Sequence, residues 1–395
     1  MRKSVLFMGY GDKMAHFLRP YGYQRVIHGS VASLVLKGHR AAYLELTWDS
    51  LKPIDTELSL LVGGKEVEVR FIRASFRRLG RFASRRGLFF YADSARTRLD
   101  AELKEKVEEL GPEYVVSEAR IPWFTARDIA KMMGAKLLLR PHKVESMDLP
   151  GEVHGGAMTS IWTAIMFLYT VPLSYASDWV LSLAKPDERV LRRFLVSRIT
   201  TVEPTYASLL HGAAQERVEE LVEEIRPFIV AYRPDWLHIY LARVISDVNF
   251  VLLGVSQDEL PEVVGLPREK IPSNVVAVGH VSGIALAKLL KHAMILLIPQ
   301  KYISDSCLRL IEGLSYGLPM VVTTDVASKV EGLVNGVHLI VEDDFSKWAS
   351  ILKRLVADEE FRERLRENAS RFYHERLRPL IHARRLEAVF ERLEG

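Results

Sequence analysis

At 395 residues the chain exceeds what one hydrophobic core usually serves, and roughly 150 residues per domain predicts two or three domains, with two the simplest number. With 48% hydrophobic and 26% charged residues it reads as soluble and globular, while a net charge of +4 is too mild for a nucleic-acid-binding chain. The single cysteine, Cys307, excludes an internal disulfide, the opening MRKSVLFMGYGD is too short in apolar run for a signal peptide, and a cytoplasmic protein is expected.

In chain order, SVLFMGYG reads as a first strand, followed by a helix from about Gln24 to Lys37 and the strand AAYLEL. That alternation predicts βαβ units and a parallel sheet. Gly9 and Gly11 fall after the first strand, where backbone approaches a ligand closely. A dinucleotide fingerprint would need a third glycine where Met14 stands, so NAD is not indicated. Between Arg70 and Arg86 lie seven arginines and no acidic residue. On a helical wheel Ile72, Phe76, Leu79 and Ala83 share a face, which predicts a basic amphipathic helix, either docked on an anionic bilayer or packed on its own domain.

EYVVS, KLLLRPH, WVLSLA and SRITTVEP read as further strands, with FTARDIAKMMG a helix between the first two. Pro172 and Asp178 interrupt SIWTAIMFLYTVPLSYASDWVLSL, which leaves it too short to span a membrane and predicts a buried or surface helix. The domain boundary is placed near Glu203, giving an N-terminal domain over 1–202 and a C-terminal one over 203–378. FIVAY, NFVLLGV, NVVAVGH, MILLIP, PMVVTTD and HLIVED are the strands of a second sheet of similar build. Amphipathic helices close the chain, with a break at Pro379 and a last segment over 379–395. Four Asn and four Gln are few heat-labile amides for this length and point to a thermophilic source.

The strongest signal is MILLIPQKYISDSCLRLIEGLSYGLPMVVTTD: a strand to Pro299, a helix from about Ser306 to Tyr316, and a strand entered through Gly317, Leu318 and Pro319. Helix N-termini beyond the carboxyl ends of parallel strands suit a diphosphate. Arg309, in the first turn, would add a forked cationic donor, and Glu312, one turn on, could accept bonds from vicinal ribose hydroxyls. The bland alternative is an exposed Arg and Glu on a solvated helix.

These residues resemble the GT-B glycosyltransferases, family 4 and its relatives (glycosyl transferases group 1), whose motif is E-x7-E followed by a small-residue and proline strand entry. The resemblance continues through EGLVNGVHLIVEDDFSKWASILKRLVADEEFRERL and back to FIVAYRP and NVVAVGH. It implies that Glu312 grips the ribose and that Ser304 stands where a glutamate would touch the donor sugar, with Asp305 adjacent as a substitute. Arg233 and His238 match the arginine and lysine of a G-R-x4-K phosphate segment, with histidine in place of lysine, and Gly279 and His280 fall among donor-binding residues. GSVASLVLKGHRAAYLEL is similar to the family's first helix and second strand, with His39 a helix stop. His142 stands where the family has a histidine facing the donor sugar. Ser117 and Glu118 end another strand and are candidates for acceptor contact.

The resemblance implies an α/β chain of GT-B architecture: two Rossmann-like domains across a cleft, with the last helix returning to the first domain. It implies a hexosyl-type transfer from a nucleotide diphosphate sugar to a glycan or lipid-linked acceptor, retaining, with no cofactor and no metal. The catalytic candidates are His142, Asp305 and Glu312; the donor-binding candidates are Gly9, Gly11, Arg233, His238, Gly279, His280, Ser304, Arg309 and Glu312. Peripheral contact with the inner face of the membrane through Arg70 to Arg86 is a further expectation. Because Ser304 and His238 replace expected ligands, a non-catalytic nucleotide-binding or scaffold subunit, or a GT-B sugar-nucleotide epimerase, stays open as an alternative.

Overall fold

The computed structural model of the protein describes residues 2–11, 22–47, 54–75, 101–118, 122–141, 170–209, 215–232, 234–281, 283–300 and 308–395. It divides into two compact units, one of residues 1–207 with 379–395 and one of residues 208–303 and 307–378.

The first unit contains β1 (Ser4–Gly11), α1 (Gly22–Leu36), β2 (Arg40–Thr47), β3 (Ile54–Val62), β4 (Lys65–Ser75), α2 (Ala101–Leu110), β5 (Tyr114–Glu118), α3 (Trp123–Met133), β6 (Lys136–Arg140), β7 (Trp179–Ser182), α4 (Lys185–Arg193) and β8 (Ile199–Thr201). With β9 (Ala207–Leu209) these strands form a nine-stranded sheet in the order β8-β7-β6-β5-β1-β2-β4-β3-β9. The run from β8 to β4 is parallel, and the β3–β4 pairing is antiparallel. The short apolar runs become strands because both faces are covered. Leu6 and Met8 join Val115 and Leu139 in one core cluster, while Val5 and Phe7, on the opposite face, are equally buried.

The arginine stretch departs from the expected helix. Residues 65–75 are a strand, joined to β3 through Gly63 and Gly64, whose φ values of 56° and 77° fit the two-residue hairpin turn that right-twisted strands favour. The pattern KEVEVRF alternates with period two: Val67, Val69 and Phe71 are buried, while Glu66 and Glu68 are exposed. Period two outweighed the helical wheel drawn through Ile72, and residues 76–86 lie outside the described residues. The charges are also compensated from elsewhere in the fold. Arg70 donates to Asp55 at 2.9 and 3.2 Å and to Glu109 at 3.0 Å, and the buried Arg73 is bound to Glu45 at 2.5 and 2.9 Å. The apolar 160s segment lies largely outside the described residues, its end forming a helical turn and β7; among the described residues no helix is long and apolar enough to cross a membrane.

The second unit runs α5 (Gln215–Ile225), β10 (Phe228–Tyr232), α6 (Trp236–Val244), β11 (Asn249–Leu253), α7 (Leu260–Val264), β12 (Val275–Ala277), α8 (Gly283–His292), β13 (Ile295–Ile298), α9 (Leu308–Ser315), β14 (Met320–Val322), α10 (Thr324–Ala327), β15 (Ile340–Val341), α11 (Trp348–Ala357) and α12 (Glu359–Arg376). Its six-stranded sheet, β12-β11-β10-β13-β14-β15, is parallel throughout. Each strand coincides with one of the apolar runs named above, because a strand covered on both faces must be apolar along its whole length.

The last helix, α13 (Pro379–Glu394), belongs to the first unit and packs on α1. Phe390 stacks on Tyr114 at 4.2 Å, and the Tyr114 hydroxyl donates to Glu394 at 2.6 Å. His39 is fixed there too, accepting from the Lys3 amide at 3.0 Å and meeting Glu387 at 2.7 Å.

Candidate functional site

An open parallel sheet leaves a crevice outside the carboxyl ends of its strands where the strand order reverses. In the second unit that reversal lies between β10 and β13. Tyr232 is the last residue of β10, and α9 follows β13, so sequence-distant groups meet at the reversal. The Tyr232 hydroxyl donates to Glu312 Oε2 at 2.7 Å, and the Arg309 guanidinium lies 4.9 Å from the centre of the Tyr232 ring. Arg309 and Glu312 thus face one strand end, as their i, i+3 spacing requires. Glu312 is not the exposed residue of the bland alternative: it has no accessible surface, and its carboxylate binds a phenol.

Gly313 explains how α9 sits so close to the sheet. A Cβ there would run into Met320 Sδ and stand 2.8 Å from Leu296 Cδ2, both on the strands beneath. A side chain at 313 would lift the helix that carries Arg309 and Glu312.

Beside them α6 opens with a capping box. Asp235 Oδ1 accepts from the amides of Leu237 at 2.9 Å and His238 at 3.4 Å, while the Asp235 amide donates to His238 Nδ1 at 3.1 Å. Burial alone would raise the Asp235 carboxyl, but hydrogen bonds from His238 and these amides outweigh it and hold it below the usual carboxylate range. With Nδ1 accepting, the proton of the neutral imidazole resides on Nε2. His238 is fully buried, and its Nε2 has no hydrogen-bond partner among the described residues. The helix start therefore presents a donor that lacks an acceptor.

Gly279 and His280 follow β12, two strand spacings or roughly 10 Å from β10. Gly279 has φ 69°, and its carbonyl accepts from Gly254 at the end of β11, so its role visible here is a strand-end turn; His280 is exposed. In the first unit a Cβ on Gly9 would lie 2.9 Å from both Ile27 Cδ1 and the Tyr43 hydroxyl. Core side chains thus occupy the space a Cβ at Gly9 would need. Gly11 ends β1 opposite Thr47. Ser117 and Glu118 are buried, and Glu118 is bound by Arg140, so they are internal supports, not the surface contacts expected. His142, Arg233, Ser304 and Asp305 lie outside the described residues. Among the described residues no three His, Cys, Asp or Glu side chains gather as a metal site would require.

Sequence reading missed Tyr232 and Asp235. An aromatic residue closing a buried strand and an Asp three residues before His238 were the available signals: the second is an N-cap pattern.

Residues 209–358 match the family model described as glycosyl transferases group 1. No curated protein matches the chain by sequence. Among solved structures, HepE from Anabaena, in complex with UDP and glucose, is similar at 12% identity and a TM-score of 0.63, covering 98% of this chain and 99% of that one. Sucrose-phosphate synthase from Thermosynechococcus elongatus is similar at 15% identity and a TM-score of 0.66, covering 99% of both chains. A UDP-N-acetylglucosamine 2-epimerase assignment from Listeria monocytogenes accompanies a third, at 10% identity and a TM-score of 0.53, covering 99% of this chain and 96% of that one. Likeness at such identities speaks for the fold: the chain has the GT-B fold, and its residues 209–358 are similar to the glycosyl transferases of group 1.

Proposed function

We propose that the protein moves a sugar from a nucleotide diphosphate sugar to a glycan or lipid-linked acceptor, holding the donor at the β10–β13 end of its second unit. The observation that carries this reading is the unpartnered, buried Nε2 donor of His238 at the start of α6, next to the strand end where Tyr232, Arg309 and Glu312 meet. A buried N–H without an acceptor costs about 1–3 kcal/mol, and a phosphate oxygen relieves it. Arg309 and the positive end of the α9 dipole add positive potential for a pyrophosphate. HepE, which has this fold, was crystallised with UDP-glucose, which supports a sugar nucleotide as the donor class here.

The reading extends to a retaining, front-face transfer. The bond from C1 to the phosphate oxygen breaks, the acceptor oxygen bonds C1 on the same face, and the acceptor proton passes to the departing phosphate oxygen. No protein nucleophile is needed, and cationic side chains with helix amides offset the charge on the leaving diphosphate. His142 is proposed to touch a donor-sugar hydroxyl, and Arg233 the pyrophosphate.

Incubation with a panel of UDP-, GDP- and ADP-sugars, with nucleotide release and sugar products followed by chromatography, tests the assignment. Release of nucleoside diphosphate with sugar appearing on water or acceptor is expected. A rearranged sugar nucleotide without release would make the protein an epimerase, and neither turnover nor thermal shift with any donor would leave a scaffold.

A further inference from the structure

Helix α4 ends on an unusual residue. The Val196 amide donates to the Leu191 carbonyl at 3.3 Å and the Leu195 amide to the Arg192 carbonyl at 3.0 Å, the bond pair of a Schellman ending. Val196 and Leu191 make the accompanying apolar contact in a small buried cluster. In such an ending the residue after the cap is left-handed and usually glycine, because a Cβ crowds the following carbonyl. Here it is Leu195, at φ 63°, the one non-glycine residue with positive φ among the described residues. Its side chain is 79% exposed. The cap needs the left-handed backbone but not a large apolar side chain, so the strain of a Cβ and the exposure of a leucine are both tolerated at one residue.

The surroundings continue the pattern. Phe194 is 38% exposed, and its carbonyl accepts from the hydroxyl of Tyr175, itself 57% exposed, which steadies the tip. Exposed Arg189, Arg193 and Arg198 flank it, and no ion pair involves any of the three among the described residues. The acids of this stretch, Asp187 and Glu188, are buried; Glu188 is occupied by Arg192, Lys185 and Thr201. A protruding apolar pair framed by unpaired arginines, with no exposed carboxylate between residues 185 and 201, complements a surface that is anionic outside and apolar just beneath.

We infer that the α4–β8 tip docks the protein on an anionic phospholipid bilayer, with Phe194 and Leu195 entering the acyl boundary and Arg189, Arg193 and Arg198 at the phosphates. This tip is distinct from the stretch Arg70 to Arg86, whose first two cations are consumed internally, and it does not depend on which donor the second unit binds. The test is sedimentation of the full chain at low ionic strength with phosphatidylcholine vesicles and with phosphatidylcholine–phosphatidylglycerol vesicles. The wild type should sediment with the anionic vesicles alone. Leu195→Gly suits the left-handed position better, so its thermal midpoint should hold or rise while its vesicle affinity falls roughly tenfold. Arg193→Gln with Arg198→Gln should weaken binding most at low salt. A wild type that stays in the supernatant, or a Leu195→Gly variant that binds as well as the wild type, overturns the inference; a tip made for a protein partner gives the first of these results.

Discussion

The two units handle buried polarity in opposite ways. In the first, buried ionic and polar groups are numerous and answer one another: Glu45 with Arg73, Glu118 with Arg140, Ser30 with Arg140 and His382, and Glu203 with Arg385 and His382. In the second, the buried polar or charged residues among those described are His238, Glu312, Thr323 and Lys329. Three follow the carboxyl end of a parallel strand, Thr323 directly after β14. A buried charge is expensive wherever it lies, so closed networks mark internal framing, while an isolated buried donor at a strand end marks a place for something that has to arrive. Abundance of buried polarity is therefore a poor pointer to a site, and incompleteness is a better one.

The comparison breaks most sharply at Arg140. Its guanidinium is fully buried, donating to Glu118 and, at 2.7 Å, to Ser30. Arg140→Met strands the Glu118 carboxylate and should cost about 3–5 kcal/mol in urea unfolding of the first unit. Nucleotide affinity of the folded protein should hold; equal loss in both would dissolve the distinction between framework and site. Arg309→Ala should do the reverse, leaving the unfolding midpoint nearly unchanged while sugar-nucleotide affinity, measured by calorimetry, drops roughly 10- to 100-fold.

Acid sharpens the comparison next. Burial, assisted by Arg25, lowers His28 to about 4, and burial with nearby Arg140 lowers His382 to about 3. Unfolded imidazoles protonate near pH 6.5. Between those values the unfolded chain binds more protons, so stability is intact above about pH 6.5 and falls as the pH drops toward 3, by up to ~1.4 kcal/mol per unit for each histidine. His382→Asn should flatten that limb by about one proton in pH-dependent urea titrations; an unchanged slope would show that the network does not hold the imidazole neutral. The smallest effect belongs to His238→Asn. Its amide oxygen can replace Nδ1 in the capping box while Nε2 disappears, so helix α6 should persist and donor affinity should weaken roughly three- to tenfold.

Much of the second unit was legible because its strands are covered on both faces. FIVAY, NFVLL, VVA, ILLI and MVV announce themselves as uninterrupted apolar runs, and the Arg309–Glu312 spacing fixes a shared helix face before any fold is known. The hairpin β3–β4 was legible as well, through Gly63-Gly64 between alternating stretches, but a count of arginines along the chain spoke louder. That count was one-dimensional: Asp55, Glu45 and Glu109, which neutralise Arg70 and Arg73, come from β3, β2 and α2.

What the sequence by itself determined is whatever repeats locally: strand and helix periods, the glycine turn, the order of elements in the family-matched segment, and the identity of the residues that open α9. Only tertiary structure decided that Glu312 is buried and bonded to Tyr232, that His238 spends one nitrogen on its own helix cap and keeps the other without a partner among the described residues, and that Leu195 stands out into solvent. Those outcomes depend on which distant groups end up within hydrogen-bond reach and on which side chains remain uncovered, and neither quantity has a period in the chain.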